Sequence, residues 1–153
     1  MVPQKGEPLV ILLVEDNEAH AELVMRSMHD QRVANIIYPV VDGQQALDFL
    51  LHKGDFTNAK KSPSPRPNLV LLDLRLPKVD GIEVLKTIKE SSDLKRIPVV
   101  ILTSSDAEAD IARSYDYHAN SYLVKPIEFK TFTKLMEDMG SYWLGWNAPP
   151  RMK

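Results

Sequence analysis

An α/β fold built on a parallel five-stranded sheet is what this sequence predicts, and two observations carry the prediction. Short apolar runs alternate along the chain with amphipathic stretches, the pattern of βαβ units. Those runs also end abruptly in polar residues. Val10-Ile11-Leu12-Leu13-Val14 meets Glu15-Asp16, and Leu69-Val70-Leu71-Leu72 meets Asp73. Pro98-Val99-Val100-Ile101-Leu102 meets Thr103-Ser104, and Tyr122-Leu123-Val124 meets Lys125-Pro126. Uninterrupted apolar strands are buried on both faces, and a charge inside one would be costly. The polar residues therefore belong at the C-terminal ends of the strands, the edge where open α/β sheets bind ligands.

The elements follow in order. After the first strand, Asn17 can cap a helix that carries Leu23, Val24 and Met28 as its apolar positions. The second strand, 36–41, contains Pro39, which cannot donate to a ladder and so marks a sheet edge. Asp42-Gly43 turns the chain into a helix bearing Leu47, Leu50 and Leu51. Residues 52–68 form a polar connection with alternating prolines at 63, 65 and 67, an extended surface excursion.

Beyond Asp73, Gly81 opens a helix with Ile82, Leu85 and Ile88 facing inward. Ser105 and Glu108 form a capping-box pattern before a helix with Ile111 and Tyr115. That helix is poor in apolar residues and rich in acids, so it is expected to be the least firmly docked. A final helix carries Phe132, Leu135, Met136, Met139 and Trp143. Strict alternation with right-handed crossovers gives a three-layer sandwich, and an edge-like second strand fits the flavodoxin-like order 2-1-3-4-5.

Composition narrows the function classes. The 153 residues suit a single domain, with a core at about 9–146 and flexible ends at 1–7 and 147–153. A net charge of −2 offers no basic excess to attract nucleic acid or an anionic membrane. No cysteine is present, which excludes disulfides and thiolate metal sites and fits a reducing cytoplasm. No apolar stretch approaches the roughly 20 residues of a membrane span, and the N-terminus lacks a signal-peptide core.

The polar edge suggests phosphoryl chemistry. Glu15, Asp16 and Asp73 would converge there, and three carboxylates so close repel one another unless a cation joins them. Mg²⁺ suits them, since it takes oxygen ligands and keeps places for water and phosphate oxygens. Asp73 is the candidate nucleophile for a phosphoryl group, and Lys125 can supply a compensating point charge. Thr103 is placed to hydrogen-bond a phosphoryl oxygen.

Taken together, four segments resemble the response-regulator receiver domain: Val14-Glu15-Asp16-Asn17, Leu71-Leu72-Asp73-Leu74 with Leu76-Pro77-Lys78-Val79-Asp80-Gly81, Leu102-Thr103-Ser104-Ser105, and Tyr122-Leu123-Val124-Lys125-Pro126. The resemblance covers residues 10–142. It implies that Asp73 is the phosphoacceptor for a sensor histidine kinase and that Glu15 and Asp16 bind the metal. It further implies the Arg75 backbone carbonyl as a metal ligand, Thr103 as the hydroxyl switch, Lys125 as the phosphate-binding lysine and Tyr122 as the rotating aromatic switch. Arg75 and Ser105 would flank the path of water to the phosphoryl group.

The proline-rich insertion, residues 111–122 and the aromatic ending resemble, more narrowly, the small single-domain regulators paired with cyanobacterial phytochrome kinases. Such regulators imply a homodimer through the fourth helix, fifth strand and fifth helix. Tyr142, Trp143 and Trp146 are candidates for the same interface, or for covering the domain's own core. With no output domain following, the signal is expected to leave through a surface, without direct contact to nucleic acid or membrane. A diffusible chemotaxis-like receiver or a phosphorelay intermediate is the alternative. A haloacid-dehalogenase-like phosphatase fits less well, because its general acid two residues after the nucleophile is replaced here by Arg75.

Overall fold

The computed structural model describes residues 8–29, 35–53, 65–104 and 108–124, together with positions 130 and 134. Five strands and four helices alternate within them: β1 (Leu9–Val14), α1 (Glu18–His29), β2 (Asn35–Val40), α2 (Gly43–Leu51), β3 (Leu69–Leu72), α3 (Gly81–Glu90), β4 (Val99–Thr103), α4 (Glu108–Asp116) and β5 (Ser121–Val124). Every strand pair is parallel, and the order is β2-β1-β3-β4-β5. The expected fold class and strand order are both present. The final helix expected around Phe132 to Trp143 lies outside the described residues.

The twofold repeat of strand side chains divides the interior into two cores. Leu12, Val14, Val70, Leu72, Val99 and Ile101 face α2 and α3, where they meet Phe49, Leu85 and Ile88. Ile11, Leu13, Leu69, Leu71, Val100 and Leu102 face the other way, against Val24 and Met28 of α1. Both faces of the central strands are thus closed, which is why these runs are almost purely aliphatic. Pro39 sits in β2 at the edge, paired in register with Leu13, and there its missing N–H costs the ladder nothing.

One expectation for a helix face is corrected. Leu23, expected to share a face with Val24 and Met28, is 59% exposed, and Leu51 at the end of α2 is 39% exposed. Adjacent residues on a helix point about 100° apart, so Leu23 and Leu51 fall off the stripes defined by Val24–Met28 and Ala46–Leu50.

At the edge where the strands begin, two asparagines extend the ladders. Asn68 donates its backbone N–H to the Val10 carbonyl at 2.7 Å and accepts the Val10 N–H on Oδ1 at 2.8 Å. Asn120 does the same with Val99, at 2.8 and 2.9 Å. Each therefore holds both polar groups of the neighbouring strand where that strand starts.

Candidate functional site

The opposite edge carries the chemistry. The ladder continues one step past the last paired residues there: Glu15 donates its N–H to the Val40 carbonyl at 3.1 Å, and Asp73 donates to Val14 at 3.0 Å. Glu15 and Asp73 are consequently fixed side by side on adjacent strands, both with buried side chains. Asp16 follows, exposed. One carboxylate oxygen from each of the three lies within 4.8 Å of the others.

Local hydrogen bonds orient the two buried members of this trio. Glu15 Oε2 accepts the backbone N–H of Asn17 at 3.2 Å, while Asn17 Oδ1 accepts the His20 N–H at 3.0 Å and caps α1. The chain beyond Asp73 curls back on its side chain, the Arg75 N–H donating to Asp73 Oδ1 at 3.1 Å. Gly81 then donates to the Leu74 carbonyl at 3.0 Å. A β-carbon at Gly81 would strike the carbonyl of Asp73 and the backbone of Leu74. Only glycine lets α3 begin so close to the acid.

The loop between them is supported from α2. Asp42 caps that helix by accepting the Gln45 N–H at 2.7 Å, and Lys78 reaches its other oxygen at 3.7 Å. Lys78 adopts a left-handed backbone, φ 66°, at the corner where Gly43 packs against the Val79 carbonyl.

Three clustered carboxylates, two of them buried, form a donor set suited to a hard divalent ion. Oxygen-only ligands, partial solvent access through Asp16 and short separations all fit Mg²⁺ or Mn²⁺. Glu15, Asp16 and Asp73, expected from sequence to converge, are brought together. Thr103 is the last residue of β4, and its backbone pairs with Val124 at the end of β5. Tyr122 is half-buried against the α2–α3 core and pairs with Ile101. The expectations for the Thr103 hydroxyl, for Lys125 and for Ser105 lie outside the described residues.

Sequence reasoning missed one partner. Arg75 Nη2 makes an ion pair with Asp110 Oδ2 of α4 at 2.7 Å. It also missed a groove of about 890 Å³ that leads from Glu15 and Asp16 along α1 past Met25 to Pro39 of β2 and to Val41 just beyond that strand.

The family model described as the response regulator receiver domain matches residues 11–137. The chain is 48% identical over 150 residues to the probable methanogenesis regulatory protein FilR2 of Methanothrix harundinacea, covering 97% of this chain and 92% of that one. It is 44% identical over 144 residues to the response regulator Rcp1 of Synechocystis sp., covering 94% and 95%. The solved Mn(2+)-bound form of Rcp1 aligns with a TM-score of 0.78 over 94% of this chain and all of that one, 100%. The phosphorylated cyanobacterial phytochrome response regulator RcpA aligns with a TM-score of 0.76 at 39% identity, covering 90% and 94%.

Proposed function

Because the chain belongs to the response regulator receiver domains of two-component signalling, we propose that Asp73 accepts its phosphoryl group from a sensor histidine kinase. The observation that carries this reading is the convergence of Glu15, Asp16 and Asp73 at the strand ends. Asp73 alone of the three also anchors the loop that leads to α3, through Arg75.

In the transfer, a carboxylate oxygen of Asp73 attacks the phosphorus of a phosphohistidine. The P–N bond breaks, and the imidazole leaves with the electron pair and takes a proton from solvent. Glu15, Asp16, Asp73 and the Arg75 carbonyl hold Mg²⁺, which when bound neutralises charge on the transferring oxygens. Lys125 supplies a further positive charge, and Thr103 donates its hydroxyl to a phosphoryl oxygen. Buried Glu15 is held by the Asn17 N–H, so this acid is preorganised before the donor arrives.

The signal then passes to the face formed by α4, β5 and the helix expected after it. Tyr122 turns inward as Thr103 moves toward the phosphoryl group. A bias of a few kcal/mol suffices to shift such a two-state population substantially. A homodimer through this face, with Tyr142, Trp143 and Trp146, reads the change. Autodephosphorylation resets it in the cytoplasm. Likeness to the cyanobacterial phytochrome response regulator RcpA supports a phytochrome-type kinase as the donor.

The test is intact-mass analysis after incubation with Mg²⁺ and acetyl phosphate. Wild type gains one phosphoryl group and Asp73→Asn gains none. An unmodified wild type, with acetyl phosphate and with a histidine kinase alike, overturns the reading.

A further inference from the structure

Arg75 touches two different elements at once. Its backbone N–H holds the carboxylate of Asp73, and its guanidinium reaches α4 to pair with Asp110. The two residues of the ion pair are 35 positions apart. The pair is also lopsided: the Arg75 side chain is 67% exposed, whereas Asp110 is only 16% exposed.

Asp110 is the fixed partner. Its backbone carbonyl accepts the hydroxyl of Ser114, a fully buried residue, at 2.9 Å. It also lies in the first turn of α4, where the helix dipole favours a negative charge. Arg75 is the partner that can leave, since a largely solvated guanidinium gives up little by exchanging one anion for another. A phosphoryl group on Asp73 would offer it two negative charges and several oxygens, two of which the planar fork of a guanidinium can engage at once.

We propose that Asp110 and the phosphorylated acceptor compete for Arg75, so that the Arg75–Asp110 pair is a latch on α4 that phosphorylation of Asp73 opens. Asp110 is then a positioning residue: it never touches the phosphoryl group, but it sets the energy required for Arg75 to do so. The latch couples the acceptor to α4 through a path separate from Thr103 and Tyr122. It rests on the reading of Asp73 as the phosphoacceptor.

Linkage makes the idea testable with beryllofluoride, which mimics the phosphoryl group on a carboxylate. Asp110→Asn removes the competitor, so calorimetric titration in Mg²⁺ should show beryllofluoride binding about two- to fivefold tighter than in wild type, the range for an exposed pair. The gain should vanish on an Arg75→Gln background, because no guanidinium remains to be released. Both variants should speed hydrogen exchange of the α4 amides in the unmodified protein toward the rate that wild type reaches with beryllofluoride. Arg75→Gln should do so without tightening binding, a split that general loosening of the fold would not produce.

Unchanged or weaker binding by Asp110→Asn overturns the latch, as does a gain that persists without Arg75. Failure of wild type to bind beryllofluoride overturns the latch together with the phosphoacceptor reading. Wild type that binds normally while Asp110→Asn shows no gain overturns the latch alone.

Discussion

Gly81 stands so close to Asp73 that a single added methyl group would collide with the carbonyl of the acid. The start of α3 and the backbone that carries the Asp73 carboxylate therefore share one packing problem. Gly81→Ala must push either the helix or the Asp73 loop outward. Overpacking of this kind costs about 1–3 kcal/mol. The urea midpoint should fall accordingly, and phosphorylation by acetyl phosphate should slow relative to wild type at a temperature where both are folded. Wild-type stability and rate in Gly81→Ala would show that the loop has slack.

Metal binding should depend on Asp16 even though it is the exposed member of the trio. Asp16→Asn removes one of three anionic oxygens, and Mg²⁺ affinity measured by titration should drop about tenfold or more. Chelation of Mg²⁺ should abolish phosphorylation of wild type. An unaltered affinity in Asp16→Asn would move the ion to Glu15 and Asp73 alone.

Asn68 should matter for stability and not for chemistry. Asn68→Ala strips a hydrogen bond from the buried start of β1 and leaves the Val10 N–H without its acceptor. Such a loss costs about 1–3 kcal/mol, readable in the urea midpoint. Beryllofluoride affinity should stay at the wild-type value, since the substitution lies at the far edge of the sheet.

Lys89 should leave a signature at alkaline pH. Its ammonium is drawn inside to donate to the carbonyls of Ile97 at 2.8 Å and Lys95 at 3.2 Å, and desolvation by burial lowers its pKa from the ordinary value of 10.5. In the window between the lowered value and 10.5, the unfolded chain binds more protons than the folded one, so this group's contribution to stability rises with pH. Below the window the burial penalty is felt in full. The stability difference between wild type and Lys89→Met, followed by denaturation from neutral pH upward, should therefore grow in favour of wild type. A difference independent of pH would refute the assignment.

How much of this was legible in the sequence depended on whether the signal was local. β1 and β3 could be read because burial on both faces demands unbroken aliphatic runs, and Glu15, Asp16 and Asp73 stood out as the polar residues ending them. Pro39 marked β2 as an edge for an equally local reason. Leu23 was misplaced because a hydrophobic residue beside a helix stripe is indistinguishable from one on it until the packing is known. The ion pair between Arg75 and Asp110 had no local signal at all: nothing in the spacing of a β3–α3 loop residue and a helix acid predicts that they meet. Gly81 was readable as a helix opening, but not as a point of backbone contact with Asp73.

Asn68 and Asn120 have a bearing on engineering. Each closes a strand at the edge remote from the acidic trio, using both its backbone and its side chain. For a sensor or optogenetic tool built on this scaffold, a peptide tag grafted upstream of Pro67 would meet the Asn68–Val10 clamp before it could pull on β3. The clamp works as a strain relief, like the grommet on a cable, leaving the signalling end free to be wired separately.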